Sequence, residues 1–75
     1  MFIQNVLSFD EQIRIECAGH TVSPLSKLRY DIGGNGLNGV LWFDCGSWFY
    51  REYHQTKVFS ADTAFDVLAL AVTST

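Results

Sequence analysis

Among its 75 residues the chain has one proline, two cysteines and only five cationic side chains, and no run of apolar residues approaches the ~20 needed to span a membrane as a helix. Each scarcity excludes something. The five bases, Arg14, Lys27, Arg29, Arg51 and Lys57, are scattered and outnumbered by eight acids, leaving a net charge of -3. Binding to a nucleic-acid backbone draws on a basic stripe that releases counterions, and no such stripe is present. The acids are equally dispersed, so the chain does not imitate a polyanion either. Two cysteines cannot make a disulfide framework, and Cys17 and Cys45 read as reduced thiols. The opening Met1-Phe2-Ile3-Gln4-Asn5 has no basic segment followed by a long apolar one, so no signal peptide is expected and the expected location is the cytoplasm.

What is present is apolar material in a short chain. Hydrophobic residues make up 48% and charged residues 17%, which suits a folded single domain covering residues 1–75 rather than a disordered segment. A domain of this length buries only about 60–65% of the surface of its unfolded chain, so its margin of stability is thin. A homodimer that covers spare apolar surface, through the C-terminal helix or a hairpin edge, would relieve that shortage. No internal repeat, low-complexity tract or linker interrupts the chain.

The residues point to a small antiparallel sheet of four to five strands in a meander, with one C-terminal helix packed on one face: an α+β fold. Residues 2–9 are rich in Phe, Ile, Val and Leu. Over 12–17, Ile13, Ile15 and Cys17 alternate with Gln12, Arg14 and Glu16, which predicts a first hairpin turning at Ser8 to Glu11. A helix from Asp10 is the rival. Residues 18–24 read as a loop ending at Ser23-Pro24. Over 25–32, Leu28, Tyr30 and Ile32 alternate as in a strand, while Ser23 as a cap, Pro24 in the first turn and Gly33 as a stop would also suit a helix; the strand is preferred. Gly33 to Gly39 holds four of the six glycines and reads as a mobile hairpin loop, lacking the Lys-Ser/Thr end of a phosphate-binding loop. Ser60 is the expected cap of the last helix, with Asp62 in its first turn and Ala61, Ala64, Phe65, Leu68, Ala69 and Val72 on its buried face.

Six of the eleven aromatic residues, Trp42, Phe43, Trp48, Phe49, Tyr50 and Tyr53, crowd around the turn at Asp44-Cys45-Gly46-Ser47. Neighbouring side chains of a strand point to opposite faces, so Trp42/Phe43 and Trp48/Phe49 place large rings on both sides of one ribbon. The second strand is expected to run from Trp48 to Phe59. Both of its sides are mixed in polarity, which predicts a twist or bulge near its middle.

Chemistry-bearing constellations are thin. Cys17 and His20, with Cys45 and His54, contain the donor types of a zinc site, but the spacing of the second pair does not match a zinc finger. Either cysteine beside either histidine, with Asp44 or Glu52 to orient the ring, could be drawn as a nucleophilic centre, yet no signature surrounds them. No catalytic residue, metal ligand or cofactor is therefore assigned. The excess of rings over what a small core needs favours a non-enzymatic protein-binding module, with Trp48, Tyr50, Arg51 and Tyr53 as its contact residues, because Trp, Tyr and Arg dominate the energetic centres of interfaces. The alternatives are a structural or regulatory homodimer and, third, a platform for stacking single-stranded nucleic acid.

In its shortness, mild acidity and β-meander-plus-helix plan, the chain resembles the small inhibitors that phages and mobile elements direct against host defences, of which anti-CRISPR proteins are the best-known group. The resemblance lies in size and architecture and carries over no functional residue. It implies steric occlusion of a larger complex in the host cytoplasm.

Overall fold

The computed structural model describes residues 7–74. Helix α1 (Phe9–Cys17) leads into five strands, β1 (Thr21–Ser26), β2 (Arg29–Gly34), β3 (Leu37–Asp44), β4 (Ser47–Glu52) and β5 (Val58–Ala61), followed by helix α2 (Ala64–Thr73). The strands lie side by side in chain order, every neighbouring pair antiparallel, and the sheet is open. The fold is thus the α+β meander with a C-terminal helix that the sequence predicts, with a second helix at its start.

That first helix replaces the expected strand over 12–17; the expected strand over 2–9 falls largely outside the described residues. Ser8 caps α1 by accepting a hydrogen bond from the Glu11 amide at 3.2 Å, and Asp10 and Glu11 place negative charge at its N-terminal end. Gly19 follows the helix with φ +98°, the left-handed conformation in which helices commonly stop. The alternation of Ile13, Ile15 and Cys17 is a coincidence of composition, since only Ile15 is buried.

The expected loop over 18–24 instead enters β1 at Thr21. As an edge strand, β1 needs one neighbour and leaves nearly all of its side chains exposed, so it carries no hydrophobic signature. Tyr30 and Ile32 do belong to a strand, β2, while Lys27 and Leu28 form the turn before it. The glycine-rich segment is mostly strand as well. Gly33 and Gly34 end β2, Leu37 to Gly39 begin β3, and only Asn35-Gly36 turn between them, with φ +50° and +85°. Two consecutive positive φ angles match the twist of a two-residue hairpin. Gly39 has a packing reason to be glycine: a Cβ there would meet the Arg51 carbonyl oxygen and lie 2.7 Å from the Tyr50 hydroxyl.

The strand expected from Trp48 to Phe59 is two strands. β4 ends at Glu52, the chain reverses through Tyr53 and His54, and β5 returns beside it. This reversal, rather than a bulge, explains the mixed sides. Trp48 and Tyr50 point to the core at even positions, whereas Phe59 and Ala61 do so at odd ones. The cap of α2 is Thr63, whose hydroxyl accepts from the Asp66 amide at 3.1 Å; Ser60 stays in β5 and Asp66, not Asp62, occupies the first turn. The helix buries Ala64, Val67, Leu68 and Ala71, with Phe65 and Val72 at the margin, while Ala69 is exposed.

Both helices cover the same face of the sheet. One core cluster joins Leu7 and Ile15 to Tyr30, Ile32, Leu37, Leu41, Trp48 and Tyr50 of the strands and to the buried face of α2. The helices dock through Phe65: its amide donates to the Glu11 carboxylate at 2.9 Å, and the Arg14 guanidinium lies 4.4 Å from the centre of its ring.

Candidate interaction surface

Registered pairs on a sheet share a face, so the pairing assigns every side chain to one side. Val22, Ile32 and Gly39 form one row under the helices, Pro24, Tyr30, Leu41, Tyr50 and Phe59 a second, and Phe43, Trp48 and Ala61 a third. The opposite face carries Ser23, Asp31, Val40, Arg51 and Val58 in one row and Arg29, Trp42, Phe49 and Ser60 in the next. No helix among the described residues packs on this second face.

Its centre is apolar and ordered by contacts within the sheet. Trp42 and Phe49, directly opposite each other on β3 and β4, stack with ring centroids 5.6 Å apart and planes 18° from parallel. Val40 beside them is 9% exposed although it stands outside the main core, so its neighbours on the open face shelter it. Val58 on the last strand is 47% exposed.

Polar groups frame this stripe. Arg51 donates through Nη1 to the carbonyl oxygens of Glu52 at 3.3 Å and Gln55 at 3.1 Å, which ties the loop after β4 to the sheet. Tyr53, 41% exposed, donates to Asp31 Oδ1 at 2.5 Å, bridging the end of β4 to β2. That hydrogen bond, together with partial burial and the carboxylate charge, raises the Tyr53 phenol above its ordinary value.

Of the four contact residues expected from sequence, the structure brings Arg51 and Tyr53 to this surface and sends Trp48 and Tyr50 to the other side. Trp48 is 4% exposed, wedged between Phe43 and Tyr30 with ring centroids 5.1 and 6.2 Å away, and Tyr50 is fully buried. The Tyr50 hydroxyl donates to Glu52 Oε2, which also accepts from the Asn38 amide at 2.9 Å; burial first, and this carboxylate second, push the phenol far up. Trp42 and Phe49, both half-buried, are the rings of the open face that the expectation passed over. Alternation contains the signal, because Phe49 and Arg51 share parity, but which parity faces the helices is settled only by packing.

The thiols and imidazoles do not converge. Cys45 sits in the β3–β4 turn, while His20 donates through Nδ1 to the Gly34 carbonyl oxygen, 3.1 Å away, beyond the far end of β3. An eight-residue strand separates those ends by roughly 23 Å. Among the described residues no three His, Cys, Asp or Glu side chains are placed to hold a metal. A cavity of about 210 Å³ opens between α2 and the segment after α1, lined by His20, Asn35, Phe65, Leu68 and Val72 among others. No helix among the described residues is long and apolar enough to cross a membrane. Comparison with protein-family models, with curated proteins and with solved structures finds no match to this chain, so the surface is read from its own geometry.

Proposed function

We propose that this chain is a non-enzymatic binding module that docks a protein partner on the open face of its sheet and acts by covering part of that partner. The observation that carries this reading is the stacked Trp42–Phe49 pair at the centre of a sheet face that the helices leave uncovered. Large rings on an uncovered face lose contact with water when a partner arrives, and each contributes more there than in an already buried core. Arg51 adds remaining N–H donors and Tyr53 a ring and an acceptor oxygen, both side chains already held in place by hydrogen bonds, so ordering them on binding costs little entropy. With Arg29 at the other end of the ring row, the face suits an apolar surface edged by carboxylates. A domain of this size acting by occlusion also agrees with the phage-inhibitor plan suggested by its architecture.

Trp42→Ala and Phe49→Ala test the reading. Each is expected to keep the native circular dichroism spectrum and to lose most of the capture of partner proteins from host extract, with affinity at least tenfold weaker. Folded variants that capture the same proteins with unchanged affinity would overturn it. A second reading, single-stranded nucleic acid stacked on the same rings, is favoured by Arg29 and Arg51 lying on the ring face; it requires oligonucleotide binding that weakens steeply with salt.

A further inference from the structure

The two edges of the sheet are built differently, and hairpin geometry shows how. Asp44 and Ser47 flank the two-residue Cys45-Gly46 turn, so they are a hydrogen-bonded pair, and alternation makes Trp42/Phe49 and Val40/Arg51 hydrogen-bonded pairs too. The Tyr53 amide donating to the Asn38 carbonyl at 3.1 Å continues the same series. Trp48 and Tyr50 therefore direct their backbone groups to β5, where they meet Ala61 and Phe59. Val58 and Ser60 are left with their amides and carbonyls turned outward along the edge.

The same alternation around the Asn35-Gly36 turn leaves Val22 and Pro24 outward on β1. Pro24 has no amide to offer, and the β1–β2 register shifts between Pro24 and Ser26, so that edge is blunted in two ways. β5 has neither protection: Val58-Phe59-Ser60-Ala61 contains no proline and no charge, and no described strand pairs with its outer side.

We propose that β5 is a self-association edge, joining two copies of this chain antiparallel about a two-fold axis at Phe59. In that register Val58 of each copy faces Ser60 of the other, and the outward groups of both residues form four inter-chain hydrogen bonds. The register sets no like charges against each other: Lys57, whose ammonium lies 5.0 Å from the centre of the Phe59 ring, falls opposite Ala61 of the other copy, and Asp62 falls opposite Thr56. Because Phe59 faces Phe59, side-chain parity is preserved across the axis. Both helix layers then lie on one side of a ten-stranded sheet, and the two open faces join into one surface. The pairing is independent of the open-face reading, since it uses backbone groups of the edge rather than Trp42 or Phe49.

Sedimentation velocity over the micromolar concentration range tests it, with circular dichroism as the control for folding. The unmodified chain should shift from monomer to dimer with concentration. Ser60→Pro removes an outward amide and should leave a monomer throughout. Val58→Lys combined with Ser60→Lys sets lysines directly opposite each other twice and should weaken the dimer at least tenfold, while Val58→Asp combined with Ser60→Lys sets opposite charges there and should retain it. That contrast decides the matter even if Ser60→Pro fails to fold. A chain that stays monomeric at every concentration, or a dimer indifferent to the facing lysines and to a folded Ser60→Pro, overturns the proposal.

Discussion

Tyr50 and Tyr53 stand three residues apart and sit in opposite surroundings, one sealed beneath the helices and the other on the open face, yet each donates its hydroxyl to a carboxylate. Both phenols are raised above the ordinary value near 10, Tyr50 chiefly by burial and Tyr53 chiefly by its hydrogen bond to Asp31. A raised folded-state value means that the neutral form is favoured by folding. The resulting stability is fully present below about pH 10, where the unfolded phenols are also neutral, and is lost progressively as pH rises toward the folded values. Chemical denaturation should therefore show lower stability at about pH 11 than at about pH 8. Tyr50→Phe should flatten much of that fall; an unchanged slope would show that Tyr50 is not its source. The contrast between the two tyrosines also marks a limit of sequence reading: an aromatic residue beside Glu52 or Arg51 looks the same whichever way it points.

At the scale of elements, one turn was legible, while the caps and the boundaries set by pairing were not. The Cys45-Gly46 turn was visible as a glycine between two aromatic runs, and the structure adds that Cys45 takes φ +52°. A non-glycine residue there is strained by its Cβ, and asparagine tolerates the conformation best. Cys45→Asn should therefore raise stability by about 1 kcal/mol, read as a higher denaturation midpoint with an unchanged m value. A lower midpoint would show that the contact of the Cys45 thiol with Asp44 at 3.5 Å matters more than the strain. By contrast, α1 was masked by two isoleucines at a spacing of two, and β1 by having almost nothing to bury. The break between β4 and β5 was masked because Tyr53-His54 carries no glycine or proline to announce a reversal.

For the whole molecule, the decisive property is that one sheet face is covered twice, by α1 and α2, and the other not at all among the described residues. The two tryptophans report on the two faces. With Trp48→Phe leaving Trp42 as the sole emitter, iodide should quench the fluorescence readily; with Trp42→Phe leaving Trp48, quenching should be several-fold weaker. Equal quenching would contradict the placement of Trp48 between Phe43 and Tyr30. The sequence by itself determined the fold class, the apolar helix at the C-terminal end and the aromatic concentration around one hairpin, because these depend on composition and short-range periodicity. Tertiary structure alone decided which parity of β3 and β4 meets the helices, and so gave Trp42 and Phe49 to the surface and Trp48 and Tyr50 to the core. The physical reason is that alternation defines two faces without labelling either, and the label comes only from where distant helices find an apolar side to bury.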